Sequence, residues 1–270
     1  MTWVDLIRIP VWTGAGALLL FIIMYCSNIL KAACLYIMPL LLGGCASGQV
    51  KPASKKISLY SKKTPHPDGI GKVYLGREIA HVMGAAGGDW LERDTRQQEE
   101  AVDLAISKMP LQPSSVVADI GAGTGYYSFR ILPKIPAGTL YAVEVQNEFI
   151  NALERKKQEL KLNNLTVVKG TETTPNLPDT SIDLAFMVDV YHELEYPPEM
   201  LQALHKALKK DGTLLLIEYR AEDPSVPIKE LHKMSRAQVD KELKANGFKL
   251  RKLENTLPIQ HFLLYEKAAR

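Results

Sequence analysis

Three glycines at alternate positions, Gly121, Gly123 and Gly125, follow a short apolar run that ends in an acid, Asp119, within "VVADIGAGTGYYSFR" at residues 116–130. Glycine lets the backbone turn tightly and approach a bound molecule, so the stretch reads as a ligand-facing turn between a strand and a helix. Its spacing sets it apart from two phosphate cradles. Dinucleotide turns use G-x-G-x-x-G, and Tyr126 stands where that third glycine belongs. A P-loop needs Gly-Lys-Ser/Thr after its first glycine, and that triplet is absent. A carboxylate at position 119 repels phosphate but pairs with an ammonium, which favours a ligand with a cationic amino-acid end and a ribose.

A second acid suits the same ligand. Glu144 closes "YAVEV" about 20 residues past the glycines, at the end of the next strand-like run, where a carboxylate accepts hydrogen bonds from both ribose hydroxyls. Further along, "VDVYHELEYPPEML" brings Asp189, Tyr191 and His192 to the end of another strand. A histidine there can take a proton from a hydroxyl near neutral pH; the alternative is a satisfied histidine at a helix start. "IEYRAEDPSVPIKELHKM" then concentrates Glu218, Tyr219, Arg220, Lys229, His232 and Lys233 at one rim. Arg220 and Lys229 suit an anionic acceptor, and Trp90 with Arg93 suit a lid. A salt-bridged loop that pins the lid explains the same charges.

The elements that must position these residues alternate. Strand-like runs at residues 116–120, 139–145, 165–170, 182–190 and 213–219 are separated by helical patterns at 126–132, 147–161 and 198–209. Such alternation predicts an α/β, Rossmann-like, doubly wound sheet of seven mostly parallel strands. A helix at 235–245, stopped by Asn246 and Gly247, precedes two consecutive strand-like runs, which predict an antiparallel C-terminal hairpin. "REIAHVM" and "WLERDTRQQEEAVDLAISKM" read as helices of a lid over residues 65–110, ahead of a core at 111–270.

At these residues the sequence resembles the class I S-adenosylmethionine-dependent methyltransferases, whose first motif "ADIGAGTG" is similar to. The resemblance implies S-adenosylmethionine as cofactor, with Gly121, Gly123 and Gly125 along its methionine and ribose and Glu144 on the ribose hydroxyls. It gives Asp119 a role through the amino group or through contacts within the loop. Many members carry Gly-Asp-Ala after the third strand, the acid contacting adenine; here "GTET" places Thr171 at that position and Glu172 beside it. The Asn/Asp-Pro-Pro-Tyr run of DNA and protein-amide methyltransferases is replaced by "DVYH", which disfavours nucleobase and glutamine-amide acceptors. Asp189 is then expected at the cofactor, and His192 as base with Tyr191 and Glu218 behind it. Residues 76–96 and the rim after residue 218 resemble segments of bacterial methyltransferase-like proteins, a likeness that names no substrate.

The whole chain has 270 residues and a net charge of +3, from 33 basic against 30 acidic groups, too even a balance to imply a nucleic-acid partner. A small-molecule or lipid-like acceptor is therefore expected, with oligomeric state left open. The rivals are a non-catalytic binding protein of the same fold on the cell envelope and a nicotinamide oxidoreductase. Cys26, Cys34 and Cys45 are the only cysteines, so no thiol after residue 45 can form a disulfide or ligate a metal. Residues 9–30 are uncharged, and a second uncharged run follows Lys31. "LLLGGC" resembles a bacterial lipobox ending at Cys45, making 1–45 a signal and 46–64 a membrane tether for a domain facing the periplasm or exterior. Five lysines after the apolar region favour instead an uncleaved inner-membrane anchor with a cytoplasmic domain.

Overall fold

The computed structural model describes residues 58–269; the apolar head, Cys45 and most of the expected tether lie outside the described residues. The described chain begins with an antiparallel sheet of β1 (Tyr60–Lys62), β2 (Gly69–Tyr74) and β3 (Arg77–Ala80). Two readings are corrected here. Part of the stretch read as tether is strand β1, and "REIAHVM" is not a helix, because its first four residues are strand β3. Leu75 and Gly76, both at positive φ (47° and 96°), make the two-residue turn between β2 and β3. Pairing with β2 thus overrides the helical propensity of Arg, Glu and Ala. The lid segment that follows is broken into α1 (Gly88–Leu91), α2 (Arg96–Glu100) and α3 (Val102–Lys108), with Ala101 in the left-handed region at φ 52° between the last two.

The alternating part follows as β4 (Val116–Ile120), α4 (Ser128–Ile131), β5 (Thr139–Glu144), α5 (Asn147–Glu159), β6 (Leu165–Lys169), β7 (Ile182–Val188), α6 (Pro197–Ala207), β8 (Leu208–Tyr219), α7 (Arg236–Ala245), β9 (Phe248–Glu254) and β10 (Gln260–Lys267). These strands form one seven-stranded sheet in the order β6-β5-β4-β7-β8-β10-β9. The first five pair in parallel, and β10 inserts antiparallel between β8 and β9. The Rossmann-like sheet and its terminal hairpin are as expected from the sequence.

Helices cover both faces, so the central strands are apolar along their whole length. In β7, Leu184 and Phe186 join the core that includes Val102, Ile106, Tyr127 and Ile131, while Ala185 and Met187 join the opposite core with Leu201, Leu204 and Leu243. Local signals explain the helix ends. Pro197 and Pro198 open α6, where their missing N–H groups cost nothing. Ser235 caps α7 by accepting from Gln238 N at 3.2 Å, and Gly247 at φ 82° ends it. Leu160, just past the end of α5 at Glu159, is 54% exposed.

Candidate active site

Chain order reverses at β4, whose neighbours are β5 on one side and β7 on the other; crevices at such a switch point hold ligands beyond the carboxyl ends of the strands. A cavity of about 720 Å³ lies there, with Gly121, Gly123, Glu144, Thr171, Glu172, Asp189 and His192 in its wall. Of the sequence-predicted site residues, Asp119, Gly125, Tyr191 and Glu218 do not line it.

Gly121 and Gly123 have φ of 74° and 55°, and a Cβ on either would stand 2.8 Å from Val190 or Leu91 side-chain atoms, so the loop admits only glycine here. Gly125 serves packing instead: its Cβ would meet Phe129 at 2.4 Å and Leu153 at 2.7 Å, which moves it from the ligand to the seat of α4. Glu144 holds the loop in place. Its Oε2 accepts from Gly123 N at 2.9 Å, and its Oε1 accepts from Val145 N and Gln146 N at 2.7 and 3.0 Å. Thr171 uses its hydroxyl within its own turn, accepting from Thr174 N at 3.1 Å, whereas Glu172 is exposed at the rim.

Asp119 faces Ser128, whose hydroxyl donates to it at 2.7 Å. Of the two roles expected for Asp119, this contact corresponds to the one within the protein. Burial, with the charge of Glu144 nearby, raises its carboxyl to about 7. A raised acid binds more protons folded than unfolded between its ordinary value near 4 and about 7, so its contribution to stability falls as pH rises through that window. Asp119→Asn is accordingly expected to stabilise the fold by on the order of 1–3 kcal/mol at pH 8 and by almost nothing at pH 4. Denaturant titrations at the two pH values check this; an equal effect at both would contradict it.

Asp189 is in the left-handed region at φ 52°, and its Oδ2 accepts from Gln260 Nε2 at 2.7 Å. Its Oδ1 is buried with no hydrogen-bond partner. Burial and the charges of Glu100 and Glu218 raise this carboxyl well above the ordinary range, and a ligand cation is the group that would lower it. An unpartnered carboxylate oxygen, a loop with glycine at positions 121 and 123 and the Glu144 carboxylate in one cavity fit the amino-acid, backbone-facing and ribose parts of S-adenosylmethionine.

Beyond them the wall carries His192, Glu193, Lys229 and His232. Tyr191, His192 and Glu193 form a single 3-10 turn after β7. Glu218 Oε1 accepts from Tyr191 N at 2.8 Å, and Glu218 Oε2 lies 2.7 Å from His192 Nδ1. Burial works against a charged ring, but the Glu218 and Glu193 carboxylates outweigh it and raise His192 to about 10. This favours the charged ring, which works against the role of base expected for it. Tyr191 points elsewhere, its hydroxyl donating to Glu242 at 2.8 Å. Arg220 is committed to the carbonyls of Leu257, Pro258 and Gln260, which removes it as an anion binder. Lys229 lines the cavity, paired with Asp68 at 2.5 Å.

The lid residues divide. Trp90 lines the cavity, whereas Arg93 stacks 3.8 Å from the Trp90 ring centre and pairs with Glu99 and Glu100. Sequence reasoning missed Arg96 and Glu100, both buried. Arg96 Nε donates to Glu100 Oε2 at 2.9 Å, while Glu100 Oε1 accepts from Arg93 and Tyr219. Their i,i+4 spacing was a readable helix pair, but nothing local indicated burial. Glu193 was also missed; its only signal was adjacency to His192.

Comparison with known proteins agrees with this geometry. Residues 118–214 match the family model described as a methyltransferase domain. Residues 118–214 thus carry a methyltransferase domain. Its fold is shared with an S-adenosylmethionine-dependent methyltransferase from Aquifex aeolicus, at TM-score 0.64 and 23% identity over 68% of this chain and 98% of that one. An O-methyltransferase from neocarzinostatin biosynthesis, solved with S-adenosylhomocysteine and 1,4-dihydroxy-2-naphthoic acid, is similar at TM-score 0.58 and 16% identity, over 68% of this chain and 58% of that one. The tRNA U34 carboxymethyltransferase of Helicobacter pylori strain Shi470 is 33% identical over 119 residues, or 42% of this chain and 44% of the relative. The chain thus spans less than half the length of the curated relatives it matches. S-adenosylmethionine is the cofactor of such a domain.

Proposed function

We propose that the protein transfers a methyl group from S-adenosylmethionine to a small-molecule or lipid-like acceptor held against His192, Lys229 and His232. The observation that carries this is one continuous cavity whose wall holds the glycine loop, Glu144 and His192, with Glu218 behind the wall on the His192 ring. When bound, the cofactor supplies a methyl group activated on a sulfonium. The chain's own residues then align and enclose. Glu144 and the loop orient the donor, Trp90 and Leu91 cover the cavity, and Glu218 fixes the ring of His192 toward the acceptor. His192→Ala is expected to lower kcat by about 100-fold while changing cofactor affinity little. Equal losses in both would remove it from the acceptor side.

A second reading follows from the 33% identity to tRNA U34 carboxymethyltransferases: transfer to a tRNA nucleotide. The near-even charge balance favours the small acceptor, because tRNA binding draws on neutralised phosphates. Incubating the full chain with methyl-labelled S-adenosylmethionine and separate pools of lipid, metabolites and tRNA distinguishes the two. Label in lipid or metabolites supports the proposal, and label confined to tRNA overturns it. Cofactor binding with no label in any pool establishes the non-catalytic alternative.

We propose further that Cys45 anchors the domain to a membrane as a lipid-modified cysteine. Among the described residues no helix is long and apolar enough to cross a membrane, so anchoring is assigned to residues 1–45. Globomycin-sensitive processing and loss of membrane association in Cys45→Ser check it; unaltered processing favours the uncleaved anchor.

A further inference from the structure

Two histidines and a carboxylate meet in the cavity wall with the separations of a metal site. His192 Nε2 lies 3.2 Å from His232 Nδ1 and 3.7 Å from Glu193 Oε1, and His232 Nδ1 lies 3.4 Å from that same oxygen. Donors bound tetrahedrally at about 2.0–2.1 Å from one ion stand about 3.3–3.4 Å apart, so an ion fits between these three with little adjustment.

The surroundings hold each donor in place. The remaining nitrogen of His192 faces Glu218 Oε2 at 2.7 Å, the carboxylate–histidine arrangement that fixes ring orientation and makes the other nitrogen a better ligand. Glu218 is itself held by Tyr191 N and Val190 N, at 2.8 and 3.2 Å. Met83 N donates to Glu193 Oε2 at 3.2 Å, which leaves Oε1 for the two rings. Arg77 Nη1 donates to the His192 carbonyl at 3.0 Å and so holds the turn that carries two of the donors. His232 comes from a separate 3-10 turn, Glu230–His232.

We propose that His192, Glu193 and His232 bind a divalent transition-metal ion of the zinc class, with one coordination position open to the cavity for an oxygen of the acceptor. Imidazole with carboxylate suits zinc and its neighbours, and three protein donors with an open position is the pattern of catalytic rather than structural zinc. The acceptor clause rests on the methyl-transfer reading; the metal site does not. An acceptor hydroxyl bound there releases its proton to water. Its oxygen bonds the methyl carbon as the carbon–sulfur bond breaks, the electron pair staying on sulfur.

The test uses the full chain, stripped with chelator and titrated with Co²⁺ alone while visible absorption is followed, with Zn²⁺ then added as competitor. One Co²⁺ per chain, displaced by Zn²⁺, is expected. Affinity should fall at least ~10-fold in His232→Ala and Glu193→Gln, and ~10–100-fold in Glu218→Gln, where the ligands are intact but less well oriented. His232 and Glu193 are partly exposed, and thermal unfolding confirms that their variants remain folded. Absence of a saturable spectrum in the wild type, or unchanged affinity in both ligand variants, overturns the site. Calorimetry with S-adenosylmethionine on the same samples keeps the two readings apart: lost cofactor binding with retained Co²⁺ binding defeats methyl transfer alone, and the converse defeats the metal site alone.

Discussion

Glu144→Ala is expected to weaken S-adenosylmethionine binding by roughly 10²–10⁴-fold, the equivalent of two hydrogen bonds to a charged group at about 1.5–3 kcal/mol each. The carboxylate has two tasks. It faces the cavity where ribose hydroxyls would lie, and it ties Gly123 N, Val145 N and Gln146 N to one point. Removing it frees the glycine loop as well as the ribose, so the loss should exceed that of a simple contact. Calorimetric titration measures it, with the unfolding temperature as a control for global damage. An unchanged dissociation constant would show that the cofactor is held elsewhere.

Arg77→Ala is expected to destabilise the fold by about 3–5 kcal/mol, lowering Tm by roughly 10 °C. Arg77 meets Glu242 through two parallel bonds, Nε to Oε1 at 2.8 Å and Nη2 to Oε2 at 3.0 Å, and Glu242 is fully buried. Its removal leaves a carboxylate with, among the described residues, only Tyr191 and Gln238 as side-chain partners. The mechanism makes its own control. Glu242→Gln in the Arg77→Ala background removes the uncompensated charge and should recover part of the loss, which a packing defect would not allow. Thermal and denaturant unfolding of the single and double variants decide it. Because Arg77 also holds the His192 carbonyl, turnover should fall even well below the unfolding temperature.

Much of this was legible before folding was considered. Asp119, the alternate glycines and Glu144 stand at strand ends whose apolar runs are unmistakable, and a parallel sheet brings such ends to one edge by construction. The helix starts at Pro197 and Ser235 and the stop at Gly247 were equally local. Less visible was which way each side chain turns. Asp119 and Asp189 both follow apolar runs and both read as cofactor contacts, yet one faces Ser128 and the other keeps an unpartnered oxygen in a residue of the cavity wall. Gly125 resembled its two neighbours in spacing but clears space for Phe129 and Leu153.

Long-range pairing was the least accessible. Arg77 to Glu242 spans 165 positions, His192 to His232 spans 40, and Tyr219 to Glu100 spans 119. No periodicity encodes such partners. The sequence alone determined the alternation of strands and helices, the terminal hairpin and the glycine turn with its two acids, because each depends on neighbours within one or two elements. Only the tertiary structure decided that "REIA" is a strand, that Arg220 is spent on carbonyls, and that His192, Glu193 and His232 converge. Those outcomes depend on which surfaces meet once the cores on the two faces of the sheet are buried, and on where a charge removed from water finds its partner.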